Sequence, residues 1–182
     1  EKWARFQVEW RQTRDATIKE AEFPYPYREG QRELVTSVYR TILRKKKLFI
    51  QAPTGVGKTM ATIFPAVKAV GEGLGDKIFY LTAKTITRTV AEQAFQILKK
   101  NGLQYKVATL TAKEKICFCE KAECNPDVCP YAKGHFDRVN DAVYEMITTM
   151  EEMSRENIET QAKKHSVCPF EMGLDVSLWV DA

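Results

Sequence analysis

The feature that most constrains this chain is the run APTGVGKT, from Ala52 to Thr59. It follows a short apolar stretch, LFIQA, and precedes a stretch with helical spacing. A strand, a glycine-containing turn and a helix form the context in which G-x-x-x-x-G-K-[ST] closes around phosphate; here Ala52 stands at the first glycine position. Gly55 and Gly57 let the backbone turn so that its N–H groups converge, and the helix opening near Lys58 adds its positive end. Ala52, Pro53, Thr54, Gly55, Val56, Gly57, Lys58 and Thr59 are therefore the candidate nucleotide-binding residues. Lys58 is expected to reach the β and γ phosphates of ATP, and the Thr59 hydroxyl to hold the bridging Mg2+, which makes these two the candidate catalytic residues.

The flanking sequence sets this loop in an α/β arrangement. Residues 1–22 read as a charged helix, interrupted by FPYPY at 23–27; together they form a lead-in segment. From Arg28, the positions Leu34, Val35, Val38, Tyr39, Ile42 and Leu43 recur at helical spacing. Strand 48–52 leads into the loop, and a helix over 58–70 follows, with a kink expected at Pro65. The turn GEGLGD then leads to strand 77–82, helix 85–100, a stop at Asn101-Gly102 and strand 106–110. This alternation predicts a parallel sheet over 28–110. The order breaks after Leu110: residues 111–173 read as an insertion with a long polar helix over 136–164 and no strand behind it, and 174–182 as a return towards the sheet.

Five cysteines fall in that later region: Cys117, Cys119, Cys124, Cys129 and Cys168. Four thiolates suit a tetrahedral zinc or an iron–sulfur cluster, and composition alone leaves both open. The spacings lack the paired C-x-x-C knuckles of structural zinc, which favours a cluster, and Cys129 and Cys168 each precede proline as in ferredoxin runs. His135 and His165 lie nearby but sit in charged helical sequence, and neither is assigned as a ligand. A disulfide framework is disfavoured, because the N-terminus carries no secretory h-region and an odd cysteine would remain.

Composition removes other classes. With 44% hydrophobic and 29% charged residues the chain is neither disordered nor fibrous. No apolar run approaches the roughly 20 residues that cross a bilayer, so no membrane partner is expected and the chain reads as cytosolic. A net charge of +4 is compatible with a polyanionic partner without indicating one.

Taken together, the phosphate loop and the cysteines resemble the XPD/DinG-like family of superfamily 2 helicases, over nearly the whole chain after Phe23. YREGQ (Tyr27 to Gln31) resembles the Q motif, APTGVGKT is motif I, and LTAKTITR (Leu81 to Arg88) resembles motif Ia. KEKIC, CNPDVCPYAKGH and HSVCPFE resemble the family's cluster segments. The resemblance implies a RecA-like P-loop parallel sheet, incomplete here, with an inserted, mainly helical iron–sulfur module. It places Gln31 on the adenine base, and Cys117, Cys124, Cys129 and Cys168 on a [4Fe–4S] cluster, leaving Cys119 as a spare that competes with Cys117. Lys84, Thr85 and Arg88 fall where motif Ia meets the DNA backbone, a contact that binds without reading sequence. Lys113, Lys115, Lys133 and Arg138 extend a basic path over the module, with Tyr131 or Phe136 stacking on bases. The implied activity is ATP-dependent translocation on single-stranded DNA, 5′ to 3′, with unwinding at duplex junctions.

No D-E-A-H box and no second motor domain with its arginine finger occur in these residues, so the chain is expected to be a fragment that binds ATP and scarcely hydrolyses it alone. The remainder of such a helicase chain is then its partner. Two other readings remain: a nucleotide-gated redox sensor, and a zinc-stabilised remodelling protein.

Overall fold

A computed structural model describes every residue except Thr54 and Lys84. The chain divides into two compact units, residues 1–104 and 105–182.

The first unit is helical among its described residues. Helix α1 (Lys2–Glu20), α2 (Gln31–Leu43), α3 (Lys58–Gly71) and α4 (Thr85–Lys100) carry it. Helix α3 is the hub: Met60, Ala61, Ile63, Phe64, Val67, Ala69 and Val70 are all buried, and the helix continues through Pro65. Ala91, Ala94, Phe95 and Leu98 form the buried stripe of α4, the i, i+3, i+4, i+7 pattern of an amphipathic helix. The lead-in segment is tied to α3 rather than trailing from it. The Lys68 ammonium donates to the carbonyls of Ile18, Lys19 and Ala21 at 2.8, 3.0 and 2.9 Å. A cation there satisfies carbonyls that the end of a helix leaves without amide partners. Phe23 stacks on Tyr27 with ring centroids 4.4 Å apart and meets Phe64 edge-on at 5.4 Å.

The strands expected at 48–52 and 77–82 do not form among the described residues, and that at 106–110 shortens to β1 (Val107–Ala108). Phe49 is 92% exposed and Leu81 88% exposed, so both apolar runs lack the cover that a buried strand has. A parallel strand is stabilised by the strands beside it, and neither run has a ladder partner among the described residues.

The second unit contains β1, α5 (Lys113–Ile116), α6 (His135–Thr149), β2 (Glu152–Met153), α7 (Arg155–His165) and α8 (Pro169–Ser177). The single long helix expected over 136–164 is two helices separated by a strand. Local chemistry explains the break. The Lys106 ammonium donates to the Met150 carbonyl at 2.7 Å just past the end of α6. Ser154 then restarts the helix as an N-cap, its hydroxyl accepting from the Asn157 N–H at 3.2 Å. Between them β2 pairs parallel with β1, Val107 opposite Glu152 and Ala108 opposite Met153. On the other side of β1 the Ala108 N–H donates to the Ala182 carbonyl at 2.8 Å, and the Lys106 N–H to the Asp181 carboxylate at 2.8 Å. The core joins Val143, Met146 and Ile147 of α6 to Ile158 and Ala162 of α7 and Met172 and Val176 of α8.

Candidate phosphate-binding loop and cysteine cavity

In the first unit, Gly55 and Gly57 adopt left-handed φ values of 89° and 74°, a conformation that costs other residues a Cβ clash. The chain turns through them directly into α3, whose N-terminus has no side-chain cap. Its first N–H groups therefore lack both intrahelical and side-chain acceptors of the usual kind, which suits an anion. Lys58 opens the helix and is exposed, its ammonium donating to the carbonyls of Ala52 and Pro53 at 2.9 and 2.7 Å. Thr59 and Val56 are half-buried beside it.

Gln31 is brought to the same loop from α2. It is buried, 3% exposed. Its amide oxygen accepts from the Arg28 N–H at 3.1 Å and its amide nitrogen lies 3.5 Å from the Gly57 carbonyl. The fit is close: a Cβ on Gly57 would stand 2.6 Å from the Gln31 amide nitrogen. Arg28, to which the sequence alone gave no role, donates its guanidinium to the Gly55 carbonyl. Its signal was its place within YREGQ, three residues before the glutamine. Thr54 and Lys84 lie outside the described residues. Thr85 is exposed at the start of α4. Arg88 lies 3.7 Å from Glu92, and its Nε is buried without a hydrogen-bond partner.

In the second unit, all five cysteines line one cavity of about 260 Å³, with His135, Tyr131, Phe118 and Phe170 among the other walls. Four short segments bring them there. Cys117 caps the end of α5, its N–H donating to the Lys113 carbonyl at 2.9 Å. Cys119 and Cys124 follow on the loop between α5 and α6. Asn125 folds the chain into an Asx-turn, accepting from the Asp127 N–H at 3.0 Å, and its carbonyl accepts from the Cys129 N–H at 2.8 Å. Cys168 is the residue before Pro169, at the N-terminus of α8. The Arg138 guanidinium holds this last segment in place, donating to the carbonyls of His165 at 3.1 Å, Ser166 at 2.7 Å and Lys133 at 2.8 Å.

Two of the thiols, Cys119 and Cys168, are pushed towards protonation. Cys119 is pushed up to about 11, first by its hydrogen bond with Cys129, 3.7 Å away, and then by burial. Burial also raises Cys168, against the opposing hydrogen bonds of the Glu171 and Phe170 backbone. Lys113 is raised by its contact with the Cys124 thiol, and its ammonium lies 5.8 Å from the Phe170 ring centre. Among the described residues, no three His, Cys, Asp or Glu side chains converge on one point closely enough to hold a single metal ion. The thiols are spread around a space instead, one larger than an ion: a water's share of liquid volume is about 30 Å³.

His135 is the residue of this site that sequence reasoning set aside. It is 4% exposed, its Nδ1 accepts from the Cys168 N–H at 3.2 Å, and its Nε2 is buried without a partner. Burial lowers its pKa, with Asp175 and Glu171 pulling the other way.

No helix of the described residues is long and apolar enough to cross a membrane. The chain is 34% identical over 125 residues to a probable ATP-dependent helicase of Methanocaldococcus jannaschii, a match covering 68% of this chain and 18% of that protein. The chain thus spans less than a fifth of the relative's length, and no solved structure matches it significantly. The DEAD/DEAH box helicase family matches residues 29–157, from the turn before Gln31, through the phosphate loop and into α7. With the loop geometry and more than half of its length accounted for, the chain belongs to the DEAD/DEAH box helicase family.

Proposed function

We propose that this chain is the nucleotide-binding part of the first motor domain of an XPD/DinG-like helicase, which hydrolyses ATP to move 5′ to 3′ along single-stranded DNA and opens duplex junctions. The observation that carries the reading is the phosphate loop: two left-handed glycines feeding an uncapped helix N-terminus, with Lys58 and Thr59 at its mouth and Gln31 against Gly57. On this reading Lys58 exchanges its loop carbonyls for the β and γ phosphates, Thr59 holds Mg2+, and Gln31 orients the base. Thr85, Arg88 and Lys84 meet the DNA backbone, a sequence-independent contact. The remaining carboxylates and the arginine finger come from the rest of the helicase chain.

The cysteine cavity fits a [4Fe–4S] cluster better than a single ion, because five thiols surround a space of about 260 Å³. Cys117, Cys124, Cys129 and Cys168 would hold it, with Cys119 competing with Cys117. A bound cluster supplies cross-links that fix four separate segments of the second unit. A second reading rests on one distance. The 3.7 Å between Cys119 and Cys129 matches two thiolates of one tetrahedral zinc, about 3.8 Å for Zn–S bonds of about 2.3 Å.

The test uses the complete protein purified without oxygen. Lys58→Ala is expected to abolish ATP turnover and unwinding while the iron content stays that of the wild type; retained ATPase removes Lys58 from its role. About four irons and four sulfides per chain support the cluster, whereas one zinc and no iron favours the second reading.

A further inference from the structure

We propose that Cys119 and Cys129 form a reversible disulfide when the cysteine cavity holds no metal centre, so that the bridge and the centre compete for Cys129. The bridge itself stands on geometry; the competition rests on the reading of Cys129 as a ligand. All five thiols are free and line one cavity, one more than a four-thiolate centre uses. The extra sulfur is not remote: Cys119 Sγ lies 3.7 Å from Cys129 Sγ. A disulfide bond is about 2.05 Å long, so the two sulfurs need to approach by only about 1.7 Å.

The local structure says which side moves. Cys129 is fixed on both sides, its N–H donating to the Asn125 carbonyl at 2.8 Å and its carbonyl accepting from the Ala132 and Lys133 N–H groups at 3.1 Å each. Cys119 lies on the connecting loop, where every residue from Glu120 to Val128 is exposed, so no packing opposes its approach. The pair is ten positions apart, a separation short enough to keep each thiol at high effective concentration near the other. Cys117 is also close to Cys119, but a bridge across two positions distorts the disulfide and is the more easily reduced. With a disulfide oxidant such as oxidised glutathione, the Cys119 thiolate attacks one sulfur and expels a glutathione thiolate. The Cys129 sulfur then attacks Cys119 in the mixed disulfide and expels the second. Two protein thiols lose two electrons and two protons, and the oxidant becomes two thiols. Exchange requires a thiolate and Cys119 is held protonated, so the reaction is followed to equilibrium and not by its initial rate.

The test uses the complete protein, stripped of metal with a chelator, reduced with dithiothreitol and equilibrated without oxygen in mixtures of reduced and oxidised glutathione. Acid quenching, alkylation under denaturing conditions and peptide mass spectrometry then report the state of each cysteine. A peptide pair joined through Cys119 and Cys129 is expected to form at a more reducing ratio than any other link. In Cys119→Ser at that same ratio, Cys129 should remain open to alkylation. Random pairing among the five cysteines, or Cys129 oxidised to the same extent without Cys119, overturns the inference. Protein that keeps its iron is expected to show no such link at that ratio, because a ligated Cys129 has no sulfur to spare. A Cys119–Cys129 link formed with the full iron content retained overturns the competition and removes Cys129 from the ligand set. Protein that holds no iron as purified overturns the cluster reading instead and leaves the bridge standing, since the bridge is measured on the metal-free chain.

Discussion

Gly57 carries two demands at once: a φ of 74°, and the close approach of the buried Gln31 amide. Gly57→Ala meets neither. The left-handed conformation costs a residue with a Cβ about 1–2 kcal/mol, and the new methyl must also displace a side chain pinned by the Arg28 N–H. We expect the variant to lose at least that stability in chemical denaturation and to bind an ATP analogue more weakly. Adding Gln31→Ala should recover the steric part and not the conformational part; wild-type stability and affinity in the single variant would sink the account. The loop itself was legible in the sequence, because its residues are neighbours and its glycines have a geometric purpose. Its braces were less so. Arg28 meets Gly55 across 27 positions, and the His135 ring accepts from an N–H 33 positions away. Such facts arise only when separate elements are brought together.

Contacts between elements give two further tests. Helices α1 and α3 approach so closely that a Cβ at Gly71 would lie 2.4 Å from Ile18 Cγ2. Alanine normally favours a helix over glycine by about 1 kcal/mol. Here overpacking of about 1–3 kcal/mol outweighs that gain, so Gly71→Ala is expected to lower Tm, and to lower it less when made in an Ile18→Ala background, where the clash is gone. A raised Tm in the single variant would mean that α1 is not seated as described. Between α6 and α7, Glu145 is held down to about 2, from an ordinary 4.5, by hydrogen bonds from Lys164 and then His165. A depressed carboxylate stabilises the fold above its unfolded pKa and loses that contribution as pH falls through the folded one. The stability gap between wild type and Glu145→Gln should therefore be full above about pH 4.5 and close towards pH 2; a gap that does not change across that window removes the clamp. Helices α3 and α4 were readable from apolar spacing alone, because an amphipathic face is a local pattern. The strands were not: residues 48–52 and 77–82 have strand-like composition, but a ladder depends on what lies beside it. Conversely β2 has too little pattern to announce itself and exists because β1 offers its edge.

At the scale of the molecule, nucleotide and cysteine chemistry fall on opposite sides of the division at 104/105, although the family match runs across it. This separation makes a further prediction. The cavity draws on segments around Cys117, Cys124, Cys129 and Cys168, which between them anchor the end of α5, the start of α6 and the start of α8. On the proposed cluster reading, losing one of these cysteines should loosen those elements together. The Cys129 side matters most: it is the buried cysteine, and its carbonyl also accepts from the Ala132 and Lys133 N–H groups at 3.1 Å each. Cys129→Ser in the complete protein is therefore expected to lower amide protection through residues 113–135 and at the start of α8, and to disrupt unwinding. The loop at Lys58 gains its shape from α2, α3 and its own glycines, all within residues 1–104, so affinity for an ATP analogue should change by less than about twofold. Hydrogen exchange and nucleotide titration on one preparation read both. Normal strand separation with full protection in the variant would mean that Cys129 supports no centre; a collapse of nucleotide affinity alongside lost protection would mean that the phosphate loop depends on the second unit for its shape.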